Sequence, residues 1–202
     1  DTQLLVGEHL MVAPILEEGS LSRSVTFPSG AWSRWTDFAA PLEDPITGRE
    51  ATIEAAETES ILFVGAGAAV PLLTEDYDSM ALPKDGIERP TIKSAPAQIT
   101  SLGFLLTPGG STQGSLDNST FGKTTWQWQA DDIQSVSTDD AQVNGTSLSA
   151  CQASTESSCI LDARTIMLTL TPATNHTVTL AGGRVTFTLE SDTVTALELR
   201  LR

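Results

Sequence analysis

Basic residues are scarce in this sequence. Against 26 aspartates and glutamates stand 11 lysines and arginines, and the formal net charge is −15. Such a surface repels phosphate backbones and argues against nucleic acid as a partner. Anionic membrane surfaces are disfavoured on the same ground. No apolar run reaches the ~18–20 residues that a membrane-crossing helix needs. The mixture of Leu, Glu, Lys and Ala that long helices prefer is also rare, and neither a long amphipathic helix nor a fixed-period repeat is visible. Histidine and cysteine are reduced to two each: His9, His176, Cys151 and Cys159. A structural zinc site wants four ligands, and two thiols with distant histidines make a poor one. No metal and no cofactor is expected.

What the chain does have is serine, threonine and short apolar segments. Its 202 residues suffice for one large domain or two small ones, and apolar residues make up 40%. Residues 4–16 read as one or two buried strands around Gly7. RSVTF (23–27) alternates as a half-buried strand does, and Pro28-Ser29-Gly30 is a turn. ATIEA (51–55) is another short strand, and SILFVGAGAAVPLL (60–73) is a second strongly apolar segment. From about Tyr77 to Pro96 the sequence changes character and reads as a linker. Strands then return in ITSLGFLL (99–106), TTWQWQA (124–130), TIMLTLT (165–171), HTVTL (176–180), RVTFTLE (184–190) and ALELRLR (196–202). Gly182-Gly183 makes a hairpin turn between HTVTL and RVTFTLE. The last segment places Leu197, Leu199 and Leu201 on one face, with Glu198, Arg200 and Arg202 on the other. Short, regularly spaced strands of this kind predict β-sandwich architecture.

Several residues are candidates for function. Trp126 and Trp128 share one strand face, where two indoles either form a platform for sugar rings or fill a sandwich core. CQASTESSC spans Cys151 and Cys159, and a disulfide across this short polar loop would add roughly 2–3 kcal/mol. Three N-x-S/T sequons, at Asn118, Asn144 and Asn175, lie in polar or turn-like contexts. Together with the cysteines they predict a secreted, N-glycosylated protein, the cell wall or an acidic compartment included. The opening segment lacks the basic region and cleavage site of a signal peptide, so targeting information is expected upstream of Asp1. Asp131-Asp132 and Asp139-Asp140 are paired carboxylates, but adjacent strand residues point to opposite faces, and both pairs read as solvated acidic loops. GAGAAV (65–70) lacks the spacing and the following helix of a nucleotide-binding loop. His9 reads as a packed or surface group.

Three phrases in order carry a resemblance. DTQLLVGEHLMVAPIL is followed by the loop EEGSLSR and by VTFPSGAW, and then by SILFVGAGAAVPLL. Residues 1 to about 80 thereby resemble glycoside hydrolase family 31, which includes α-glucosidases and α-xylosidases. The family often has proline at the position of Ser60 or Ile61, and usually arginine at Gly65. The resemblance implies a mainly β chain, with two antiparallel β-sandwich-like domains preceded by a terminal strand of a (β/α)8 barrel. Residues 1–16 would end the catalytic barrel, 17–80 form a proximal C-terminal β-sandwich, 81–96 a linker and 97–202 a distal β-domain. Asp1 and Gln3 would fix the loop leading into the last barrel strand, and Trp32 and Trp35 would pack the proximal sandwich.

Enzymes of this family are retaining. One carboxylate attacks the anomeric carbon, and a second carboxyl group ~5 Å away serves as acid and then base. The resemblance places both aspartates, and a substrate-binding histidine, upstream of Asp1, so no residue here is assigned a catalytic role. The expected function is that of a non-catalytic C-terminal part of a secreted α-glycosidase, foremost an α-glucosidase. Its partner would be the upstream catalytic portion, through which carbohydrate substrate is reached. An independent carbohydrate-binding module using Trp126 and Trp128, and a β-domain without ligand, are the alternatives. A free-standing module has no need of an apolar edge strand that invites aggregation.

Overall fold

The computed structural model describes residues 3–36, 42–56, 61–73, 101–118, 122–130, 141–144, 146–147, 158–162, 165–171, 174–180 and 185–201. Every regular element among them is a strand. The first seven are β1 (Leu4–Val6), β2 (Leu10–Val12), β3 (Ser22–Thr26), β4 (Trp32–Arg34), β5 (Glu50–Glu54), β6 (Leu62–Gly65) and β7 (Ala69–Leu73). Then follow β8 (Ser101–Leu106), β9 (Gly110–Asn118), β10 (Gly122–Ala130), β11 (Gln142–Val143) and β12 (Thr146–Ser147). The last five are β13 (Ser158–Asp162), β14 (Thr165–Thr169), β15 (Thr174–Leu180), β16 (Val185–Ser191) and β17 (Ala196–Leu201). The expected linker, 81–96, lies outside the described residues.

The proximal unit is a four-stranded sheet, ordered β1-β2-β6-β4, faced by the pair β3-β5. Alternation fills the space between them: Met11 from β2 and Phe63 from β6 meet Val25 from β3 and Ile53 from β5. Trp32 closes this core, and Phe27 meets Phe63 edge to face at 4.9 Å. Residues 10–12 therefore hydrogen-bond into the proximal sheet, with β1 and β6 as their neighbours. Gln3 acts here as a substitute peptide group. Its amide donates to the Thr26 carbonyl and accepts from the Thr26 N–H, tying the start of β1 to the end of β3. β1 departs from expectation. Leu4, Leu5 and Val6 are 63%, 50% and 49% exposed, because β1 is the end strand of its sheet and nothing in the described chain covers it.

The distal unit is a sandwich. A six-stranded sheet, β12-β11-β15-β16-β10-β9, packs on a five-stranded sheet, β13-β14-β17-β8-β7. Strand alternation supplies the core: Leu197, Leu199 and Leu201 from β17, and Ile166 and Leu168 from β14, face Phe187 and Leu189 from β16 and Val178 and Leu180 from β15. β15 and β16 pair antiparallel from Thr174↔Ser191 to Leu180↔Val185, while the expected turn at Gly182-Gly183 lies outside the described residues. Among the described residues, all pairings are antiparallel except β17 with β8. β8 is buried on both faces, which suits its unbroken apolar run. Leu102, Phe104 and Leu106 enter the sandwich core, while Leu105 joins Trp35, Val64, Ala68 and Val70 in a cluster on the reverse side.

That reverse cluster welds the two units. The segment 60–73 is two strands, not one: β6 belongs to the proximal sheet, and β7 pairs with β8 in the distal one. Within the expected proximal segment 17–80, the chain thus passes from one sheet to the other at Ala66-Gly67. Thr107 pins this crossing. Its hydroxyl accepts from Ala68 N–H and donates to the Gly65 carbonyl, both at 2.7 Å, and it is buried. Thr107→Val keeps the shape but strands the Ala68 donor, so we expect a loss of about 1–3 kcal/mol, read as a fall in the urea midpoint.

Candidate functional site

The two indoles expected to act together have different environments. Both point inward from β10, since Thr124, Trp126, Trp128 and Ala130 share the core-facing side. Trp128 is 0% exposed, and its Nε1–H donates to the Thr107 carbonyl at 3.1 Å. A side chain so enclosed offers no ring face to a sugar, so a paired Trp126–Trp128 platform does not form. Trp126 is half-buried and lies 5.1 Å from Phe104, ring centre to ring centre. It also covers Gly114, its cross-strand partner on β9. A Cβ at Gly114 would stand 2.3 Å from the indole, so only glycine leaves room for the ring.

The opposite face of the six-stranded sheet is polar throughout its centre. The strand register lays its side chains out in rows. Ser115, Thr125, Glu190 and Asn175 form one row, and Gln113, Gln127, Thr188 and Thr177 form the next. Seven of these eight line a hollow of about 540 Å³, Thr177 being the exception. A second hollow, of about 640 Å³, is lined by Ser111, Thr112, Gln113 and Gln127, together with Glu8 and His9 from the β1–β2 turn. Because Gln113 and Gln127 line both, the two hollows make one groove. It runs from Asn175 on the distal sheet to His9 on the proximal unit. Among the described residues, no lysine or arginine lines it. Among the described residues, no side-chain hydrogen bond within the protein engages Gln113, Gln127, Thr125, Thr188 or Glu190.

The sequons occupy three settings. Asn118 ends β9. Asn175 is exposed beside Glu190 at one end of the groove. Asn144 stands in the turn between β11 and β12 with φ 49°, and Asn-Gly is the pair such a turn favours. Its Oδ1 accepts from Thr177 N–H at 2.9 Å, and its Nδ2 lies 3.3 Å from His176 Nδ1. The Thr171 carbonyl, 3.1 Å from His176 Nε2, can only accept. The ring proton therefore sits on Nε2, and Nδ1 accepts from the Asn144 amide. His176 is in this way a buried pin between the β11–β12 turn and Thr171. His9 lines the groove, and its carbonyl accepts from Gly65 N–H at 2.9 Å.

Other sequence candidates fall elsewhere. Cys159 is on β13 opposite Met167, whereas Cys151, and with it the expected disulfide, lies outside the described residues. So do Asp1, Asp131-Asp132 and Asp139-Asp140. Among the described residues no cluster of His, Cys, Asp and Glu is arranged to hold a metal ion. Sequence reasoning did not single out Gln113, Gln127, Thr125, Thr188 or Glu190. Each is an ordinary outward strand residue, and only the register of three strands, β9, β10 and β16, brings them together.

Comparison with known proteins bears on the first part of the chain by sequence and on nearly all of it by shape. Residues 1–70 match the Glycosyl hydrolase family 31 C-terminal domain. An α-glucosidase of Mucor javanicus is 29% identical over 79 residues, which is 38% of this chain and 9% of that protein. A cycloalternan-forming enzyme from Listeria monocytogenes, solved with a pentasaccharide substrate, superposes on 95% of this chain with a TM-score of 0.56 at 16% identity. A family 31 dextranase from Flavobacterium johnsoniae, solved with glucose, covers 94% with the same TM-score and identity. The chain spans only 19% and 26% of those two enzymes. By sequence, residues 1–70 are thus similar to the glycosyl hydrolase family 31 C-terminal domain, and the chain shares the fold of the matching parts of these two enzymes.

Proposed function

We propose that this chain is the non-catalytic C-terminal part of a secreted, retaining α-glycosidase, foremost an α-glucosidase acting on α-linked glucosides. Its task is to complete and buttress a catalytic barrel that carries the reacting carboxylates. The observation that carries this reading is the exposed apolar strand β1. Leu4, Leu5 and Val6 present apolar side chains on both faces of an unpaired sheet edge. Water-exposed strands of that kind are normally covered or charged. A neighbouring barrel supplies the cover, and the match of residues 1–70 to a family 31 domain supports that neighbour. Three sequons support passage through a secretory pathway.

Two measurements test it. The full-length protein should hydrolyse a chromogenic α-glucoside, with retention of anomeric configuration in the first-formed product. A full-length protein that leaves α-glucosides intact, or inverts the anomeric centre, overturns the reading. In the chain by itself, Leu4→Asp with Val6→Asp should change stability by no more than about 0.5 kcal/mol, because both sites are exposed. In the full-length protein the same pair should lower the thermal midpoint and cut activity about tenfold, since two charges would then be buried against the barrel. Equal tolerance in both settings would mean that β1 faces water in the enzyme.

A further inference from the structure

We infer that the groove on the outer face of the six-stranded sheet binds a neutral oligosaccharide chain from solution. The inference is independent of the glycosidase reading, because it rests on the groove's own chemistry.

The centre of the groove is two facing amides. Gln113 and Gln127 are cross-strand partners on β9 and β10, and both line each half of the groove. An amide presents a donor pair and an acceptor side by side, which suits neighbouring hydroxyls on a sugar ring. Thr125 and Thr188 flank them with hydroxyls that both donate and accept, and Glu190 adds a strong acceptor. None of these five side chains has a hydrogen-bond partner among the described residues, so all are available to a ligand.

The same lining rules out other ligand classes. Anions would meet Glu190 at one end and Glu8 at the other, with no lysine or arginine between. A cation needs clustered carboxylates, and Glu8 and Glu190 occupy separate hollows. Peptide ligands anchor through apolar or aromatic pockets, whereas among the described residues this lining is polar apart from the half-buried Trp126 and Gly114. A long, uncharged ligand dense in hydroxyls remains. The two hollows, each of ordinary ligand-site size, suit a chain of sugar units better than a single one. The groove ends at Glu8 and His9 in the turn that follows β1.

The test uses the full-length protein, with native electrophoresis through gels containing soluble starch or dextran. The parent should be retarded by at least one of them. Gln113→Ala with Gln127→Ala should weaken that retardation at least tenfold, while leaving the thermal midpoint unchanged, as expected for exposed side chains. Because retardation needs no turnover, a failed glycosidase assay would not obscure the result. Equal retardation of parent and double variant, or none in any form, overturns the inference. Asn175 opens a sequon at the groove's rim, so Thr177→Val, which removes the acceptor sequence, is the third arm. Unchanged retardation supports a ligand from solution. Retardation that appears only in Thr177→Val would mean that the protein's own glycan fills the groove, and overturns it.

Discussion

Trp128→Ala should destabilise the chain by about 3–5 kcal/mol, a loss comparable to the whole stability of many domains. The indole is fully enclosed between the two distal sheets, and its removal opens a cavity the size of the bulkiest side chain. It also strands the Thr107 carbonyl, to which Nε1–H donates. Thr107 holds the crossing between the two units through its hydroxyl, so the damage spreads to that joint. Urea denaturation followed by fluorescence measures the loss. Trp128→Phe keeps most of the volume and should cost far less, leaving the missing N–H bond as the main deficit. The pair of variants also separates core from sugar platform. A platform residue would give up saccharide binding and leave the urea midpoint in place.

Gly67→Ala should cost about 3 kcal/mol, although it adds one methyl group. Two effects combine. The backbone at Gly67 has φ +76°, a conformation that L side chains rarely adopt. A Cβ there would lie 2.9 Å from Gly110 Cα and 3.1 Å from its carbonyl carbon. Those atoms begin β9, so the obstacle is main chain and cannot rotate away. Gly7→Ala isolates the first effect, because Gly7 has φ +66° with nothing within 4 Å of the added carbon. The difference between the two thermal midpoints then reports the contact between the units alone. Equal shifts for Gly7→Ala and Gly67→Ala would show that Gly110 gives way and that the joint is soft.

Much of this architecture could be read from the sequence, and the exceptions have physical reasons. β8, β14, β16 and β17 announce themselves because one or both of their faces are buried, and apolar periodicity records burial. β9 does not. In GSTQGSLDN the outward positions are polar, and the inward position at its centre is Gly114, covered by an indole from the neighbouring strand. Its partner hides its pattern. β1 is the reverse case: LLV reads as buried, but nothing in the described chain covers it. For the candidate site, alternation places Trp126 and Trp128 on a common face, but period alone does not say which face turns to the core. The groove was beyond reach for a different reason. Its residues run from Glu8 to Glu190 along the chain, and they meet only through cross-strand register. The family resemblance, by contrast, was legible because turn residues and buried strands recur in fixed order over residues 1–70.

The parallel pairing of β17 with β8 has a consequence for how the chain is made. β8 begins at Ser101 and its partner at Ala196, 196 − 101 = 95 residues later. Until β17 emerges from the ribosome, β7 and β8 present a bare apolar edge, and β13 and β14 have no sheet to join. The distal sandwich is thus a fold of high contact order, closed late by the insertion of a central strand. During synthesis that edge is the segment most open to wrong partners, and the most direct client surface for a chaperone.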